Sequence, residues 1–408
     1  MRAWIIQSET GARLAFEAGS FSWPEGSPPR RAGPPAADLP PVMVLADHFG
    51  YAGGVPHGVT TYLLNVLPLL ARRGVELTVC FLRSPHVAAR DLRARGIQPV
   101  FFDARKWDPT VVLRVAALAR RNGVRLLHAT GVKGTLVARI AARLIGARTL
   151  LHVHDLNDPG AALSALARLL ARPADAGVCV SEAVRELTAS RYHVPPERIR
   201  IARNGIPLET LRSAGGERSR VRAELGIEAE RPVLAVIGRM YAVKGHRAMI
   251  GMLPAIVRSC PQALLLLIGD GPEREGCEAL ARSLGMSRHV RFLGRRGDVP
   301  RLLAAIDLVL MPSQSEGLGL AAIEALAAAR PVIAFAVGGL PEVVIDGVNG
   351  RLVPAGDCAA FACAVVDTLR DSAQRFSYAR AALSSAQAFG LEAHVERLVE
   401  CYRLALAP

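Results

Sequence analysis

Lysine is nearly missing from this 408-residue sequence: Lys106, Lys133 and Lys244 are the only three, although the net charge is +14. No stretch approaches the roughly 18–20 uninterrupted apolar residues that a membrane-spanning helix needs. The early apolar run Trp4–Ile6 is too short for the h-region of a signal peptide. The seven cysteines are odd in number and scattered, with no C-x-x-C pair and no histidine at metal-ligand spacing. That pattern argues against a disulfide framework or a zinc module and leaves reduced packing residues, so the cytoplasm is the expected compartment. Aromatics amount to 5% and are not interleaved with the basic groups. Without such interleaving or a reading motif, the positive charge does not make this a nucleic-acid-binding chain. Also missing are a G-x-G-x-x-G fingerprint and an Asp-x-Asp motif.

What is present is apolar and rich in glycine. Hydrophobic residues make up 51%, and the length suffices for two domains that each bury a core. The charge is lopsided. Residues 1–41 carry four basic and four acidic groups, residues 42–210 carry 23 and 12, and residues 211–408 carry 23 and 20. Arginine-rich codon usage explains arginine over lysine but not this imbalance, which predicts that residues 42–210 face something anionic.

Residues 1–41 stand apart, with a Pro/Gly/Ala-rich linker, "SWPEGSPPRRAGPPAADLPP", after a stretch that could form a small hairpin. From Val42 short apolar strands alternate with arginine-spotted helical patterns: "VMVLAD", "ELTVCF", "QPVFF", "RLLHA", "RTLLHVH" and "AGVCV". A second series begins near Arg231 with "PVLAVIG", "ALLLLIG", "HVRFLG", "DLVLMP", "PVIAF" and "GRLVP". Such alternation predicts an α/β protein with two doubly wound parallel sheets. The expected domains are 42–210 and 211–390, Rossmann-like and facing across a cleft, with a terminal helix over 391–408 packing back on the first. Ligands are then expected beyond the carboxyl ends of the strands.

The informative residues sit at those predicted strand ends. After "VMVLAD", Gly53 and Gly54 form a Gly-rich turn opening a helix, which suits a phosphate or sugar or merely permits a tight turn. After "TLLHV" comes His154, next to Asp155. A local His–Asp pair is the bland reading, and the strand-end position raises the functional one. After "PVLAVIG", Arg239 and Lys244 flank a turn before a helix. A guanidinium fork, a point charge and helix amides together suit a diphosphate.

After "DLVLMP" the chain reads "SQSEGLGLAAIEAL". Gly317, Leu318 and Gly319 present backbone N–H groups at a helix start. Glu316 cannot also hold phosphate, because like charges repel, and is suited to accepting from hydroxyls. Glu324, within the helix, would accept a pair of vicinal hydroxyls. Cations for a diphosphate and carboxylates for two sets of hydroxyls describe a nucleotide sugar.

At these residues the chain resembles the retaining glycosyltransferase family 4 (glycosyl transferases group 1), of the two-Rossmann GT-B fold, over about 42–400. The most specific element is "EGLGLAAIE", two glutamates separated by seven residues, joined in order by "VSEAV", "NGI", "GRMYAVKGH", "IGDGPE" and "FLG". The resemblance implies that Arg239 and Lys244 grip the donor diphosphate. It further implies that Glu324 takes the ribose, Glu316 the transferred sugar, Gly53 and Gly54 the neighbourhood of the donor, and His154 the sugar's reacting face. It implies no metal and no other cofactor. The "GGVPHGV" form of the glycine loop and the 41-residue extension depart from the pattern.

The expected activity is hexose transfer, with retained configuration, from a nucleotide-diphosphate sugar to an acceptor hydroxyl in polysaccharide or glycolipid assembly. A nucleotide-sugar epimerase or hydrolase of the same fold, or a non-catalytic nucleotide-sugar binder, are the alternatives. Basic amphipathic stretches such as "LSALARLLARP" predict an anionic membrane surface and a lipid-linked acceptor. The bland reading of each is a helix burying one face on the sheet, its arginines marking the other.

Overall fold

The computed structural model describes residues 4–7, 13–16, 38–49, 58–86, 88–105 and 108–407. Two compact units divide most of them. One is Ala32–Ile206 with Phe389–Pro408, and the other contains Pro207–Ala388. Near the start, β1 (Trp4–Gln7) and β2 (Arg13–Phe16) pair antiparallel, with Trp4 opposite Phe16.

The first unit is built on seven strands: β3 (Val42–Ala46), β4 (Leu77–Phe81), β5 (Val100–Phe101), β6 (Leu126–Thr130), β7 (Arg148–Val153), β8 (Ala176–Cys179) and β9 (Ile199–Ile201). They form one parallel sheet in the order β5-β4-β3-β6-β7-β8-β9. All five residues of β3 and all five of β6 are buried. A sheet covered on both faces requires continuous apolar runs of that kind rather than alternation. The short edge strand β9 was not anticipated, since "IRI" is brief and Arg200 points out to solvent.

Helices α1 (Gly58–Arg72), α2 (Ala89–Ala94), α3 (Val111–Arg121), α4 (Val132–Ile145), α5 (Ala161–Leu170) and α6 (Glu182–Tyr192) connect these strands. Arg139 of α4 is fully buried. It bonds Asp175 at 2.8 Å, the Ala167 carbonyl at 2.9 Å and the Tyr192 carbonyl at 2.7 Å. That arginine therefore points inward, against the expectation that arginines only mark the outer face.

The second unit carries β10 (Val233–Ile237), β11 (Leu264–Ile268), β12 (Val290–Gly294), β13 (Leu308–Met311), β14 (Val332–Phe335) and β15 (Gly350–Val353). The parallel order is β12-β11-β10-β13-β14-β15, the doubly wound arrangement whose direction reverses between β10 and β13. Its helices are α7 (Leu208–Ser213), α8 (Arg218–Glu224), α9 (His246–Ser259), α10 (Arg274–Ser283), α11 (Val299–Leu303), α12 (Leu320–Ala327), α13 (Cys358–Arg370) and α14 (Ser372–Ala386).

The last helix, α15 (Leu391–Leu406), belongs to the first unit. It lies on α1, β7 and β8 and buries Val395, Leu398, Val399 and Tyr402 in that core. Among the described residues no helix is long and apolar enough to cross a membrane.

Candidate functional site

In the second unit the reversal point lies between β10 and β13, and the loops leaving both strands meet there. β10 is followed by Arg239, a short 3-10 turn over Ala242–Lys244, Gly245 and then α9. β13 is followed by Pro312, Ser313 and Glu316. Gly245 has a φ of +72°, and a Cβ there would lie 1.9 Å from the Pro312 carbonyl oxygen. Only glycine lets the two loops touch so closely. The Gln314 amide donates to the Val243 carbonyl at 2.8 Å and ties them further.

This contact sets the side chains. The Lys244 ammonium donates to Glu316 Oε1 at 2.6 Å, and the Ser313 hydroxyl donates to the same oxygen at 2.9 Å. Glu316 and Ser313 are buried, while Lys244 is half-buried. The Arg239 guanidinium lies over the Tyr241 ring, 4.8 Å from its centroid. The motif "IGDGPE" braces the Arg239 loop from behind. The Met240 amide donates to the Asp270 carbonyl at 2.9 Å, and the Glu273 amide to the Met240 carbonyl at 3.0 Å.

Gly319 caps α12 with a φ of +92°, and a Cβ there would meet Leu340 Cδ2 at 2.6 Å. Among the described residues no side chain caps that helix start. Leu318 is buried and is therefore a packing residue, so what it can offer a ligand is backbone. The Gly339 amide donates to the Glu316 carbonyl at 3.0 Å and holds the loop that carries Gly317. Glu324 sits within α12. Burial pushes its carboxyl group up to about 7, so near neutral pH it is poised between acid and carboxylate.

In the first unit Gly53 and Gly54 lie outside the described residues. His154 follows β7 directly and stacks on His152, with ring centroids 3.9 Å apart. Tyr62 of α1 meets the His154 ring edge-on at 4.8 Å. Beneath them lies a cluster that no motif announced. His128 bonds the Tyr402 hydroxyl at 2.8 Å through Nδ1 and His152 Nδ1 at 3.1 Å through Nε2. His394 Nδ1 lies 2.8 Å from the Arg203 carbonyl, which can only accept, so this nitrogen carries the proton. Its Nε2 then accepts from the Tyr62 hydroxyl at 3.0 Å.

Burial holds His128 down to about 3 and His394 to about 4, and takes His152 well below the usual histidine range. Neighbouring imidazoles add to the depression of His128 and His152. The three rings beneath His154 are therefore neutral at physiological pH. Among the described residues no group of three or more His, Cys, Asp or Glu side chains is arranged to hold a metal ion.

The structure thus brings Lys244 and Glu316 into direct contact and places Arg239 on the same loop as Lys244. Ser313 and the histidine cluster were missed. The "HVH" alternation over 152–154, which puts both rings on one side of the strand, was the one available signal.

Comparisons with known proteins agree with this architecture. The family profile "Glycosyl transferases group 1" matches residues 231–371, and "Glycosyltransferase Family 4" matches residues 56–210. The D-inositol 3-phosphate glycosyltransferase of Saccharomonospora viridis is 35% identical over 227 residues, covering 53% of this chain and 52% of that protein. The Frankia alni protein of the same name is 31% identical over 330 residues, 78% of each chain. The chain spans about half the length of the first curated relatives it matches. Among solved structures, Anabaena HepE in complex with UDP superposes with a TM-score of 0.77 at 23% identity. That alignment covers 88% of this chain and 98% of the other, and is a likeness of fold.

Proposed function

The chain belongs to the group 1, family 4 glycosyltransferases, and on that premise we propose that it transfers a sugar, with retention, from a nucleoside-diphosphate sugar to an acceptor hydroxyl. The observation that carries this reading is the Lys244–Glu316 pair at the β10/β13 reversal point, with Arg239 on the same loop. As the bond from the anomeric carbon to the diphosphate oxygen breaks, charge grows on the leaving diphosphate. Arg239 and Lys244 stabilise that charge, which is commonly the largest contribution to such catalysis. Glu316 accepts from hydroxyls of the transferred sugar, and Glu324 from the ribose diol. The acceptor oxygen bonds to the anomeric carbon on the same face, and its proton passes to the leaving phosphate. In the first unit, His154 is the candidate for the transferred sugar.

The acceptor in this reading is lipid-linked and met at an anionic membrane surface. Support comes from α5, which buries only Ser164 and Ala167 and turns Leu166 and Leu169 outward beside Arg168. The test incubates the protein with radiolabelled nucleotide sugars and either isolated membranes or D-inositol 3-phosphate, the acceptor named for its relatives. Label in lipid is the expected result. Label in inositol phosphate moves the acceptor to the soluble side. Lys244→Ala and Glu316→Ala are each expected to lower turnover by about 10²–10³ while remaining folded. Wild-type turnover in either variant sinks the assignment.

A further inference from the structure

We propose that Ser313 is the positioning residue of this site, the group that holds Glu316 in place when Lys244 turns to the donor. This rests on the functional reading above and deepens it. Among the described residues the two donors to the Glu316 carboxylate, the Lys244 ammonium at 2.6 Å and the Ser313 hydroxyl at 2.9 Å, reach the same oxygen, Oε1. Oε2 accepts from neither of them. Lys244 is also the point charge expected to meet the diphosphate, so the incoming anion competes with Glu316 for it. A buried carboxylate that loses its cation without another donor is costly. Ser313 is buried, with 2% of its surface exposed. It has one hydroxyl proton to give, and here Glu316 takes it.

The position of that hydroxyl is fixed by backbone rather than by a long flexible side chain. Ser313 follows Pro312, whose carbonyl lies against Gly245, and precedes Gln314, whose amide is bonded to Val243. The same contact therefore sets both donors, but only the serine has no second task. Ser313 bonds Glu316 and neither cation, so its loss should loosen the carboxylate and leave the cations in place. Hydrogen bonds to charged groups are the stronger kind, and losing this one corresponds to a fall in turnover of roughly ten- to hundredfold.

The experiment measures kcat and the calorimetric affinity for free nucleoside diphosphate in wild type, Ser313→Ala, Ser313→Thr, Glu316→Ala and the double alanine variant, with thermal melts to verify folding. Ser313→Ala should lose kcat roughly ten- to hundredfold with nucleotide affinity held within about twofold. Ser313→Thr, which keeps the hydroxyl, should recover most of the loss. In the Glu316→Ala background, removing the serine should cost nothing further, because residues acting as a unit are not additive. Unchanged kcat in Ser313→Ala, or a loss that adds in full to that of Glu316→Ala, overturns the inference while leaving the enzyme reading intact. A wild-type protein that binds no nucleoside diphosphate overturns the functional reading, and this inference with it.

Discussion

Glu324 shows how much one side chain can say when its surroundings contradict its chemistry. A carboxyl group within an alanine-rich helix is held up to about 7 by burial, and among the described residues no cation offsets it. Below that pH the group is mainly the neutral acid, which spends one oxygen as a donor. Above it the carboxylate can accept from both hydroxyls of a vicinal diol. Binding a diol should therefore favour the ionised form, and affinity for a nucleoside diphosphate should rise as pH passes upward through about 7 and then level off. Calorimetric titrations from pH 5.5 to 8.5, with Glu324→Gln as reference, test this and cancel the ionisation of the phosphates. Parallel curves for the two proteins would exclude a ribose role. The Glu316–Glu324 spacing is legible in sequence because two acids in an apolar run demand explanation. Ser313 is not, since a serine in a loop has no period, and its meaning comes from where Gly245 lets another loop approach. The His128, His152 and His394 cluster is hidden for a similar reason: β6, β7 and α15 meet only in the fold.

At the scale of elements, the strands were legible because parallel sheets buried on both faces leave continuous apolar runs such as "VMVLA" and "LLLLI". The helices were less so. Hydrophobic pattern predicts that arginine marks the outside and leucine the inside; α4 departs from the first rule and α5 from the second. On α4, Arg139 is fully buried with Asp175. On α5, small Ser164 and Ala167 face inward while Leu166 and Leu169 are exposed. Periodicity registers which residues are apolar, whereas the space beside a neighbouring helix selects which ones fit. Asp175 also accepts from the Thr149 hydroxyl and the Arg172 amide, so one carboxylate joins β7, α4 and the turn into β8. Asp175→Ala would leave a guanidinium buried without its counter-charge. It should lower unfolding stability by about 3–5 kcal/mol. A urea midpoint within error of wild type would show that Arg139 finds water or another partner there.

Across the whole molecule, the excess of positive charge falls on residues 42–210, with 23 basic and 12 acidic groups, and within that stretch α5 offers the most exposed leucine. Leu169 is 76% exposed and Leu166 is 40% exposed. Water-facing leucines beside Arg168 and Arg172 make a surface that an interface of lipid and water can satisfy at both levels. In the proposed reading acyl chains would take the leucines and anionic headgroups the arginines, each basic group near such a surface contributing about 1 kcal/mol. The two contributions can be separated. Flotation with vesicles containing phosphatidylglycerol should carry the protein upward at low salt, and phosphatidylcholine vesicles should not. Raising salt to about 0.5 M should release most of it, because exposed charges are screened over a few ångströms. Replacing Leu166 and Leu169 together by serine should weaken binding at every salt concentration without altering the slope of the salt dependence, since no charge changes. Binding that survives high salt and the double serine change would place the contact on a different surface. No flotation at low salt would leave the charge imbalance to a soluble anionic acceptor.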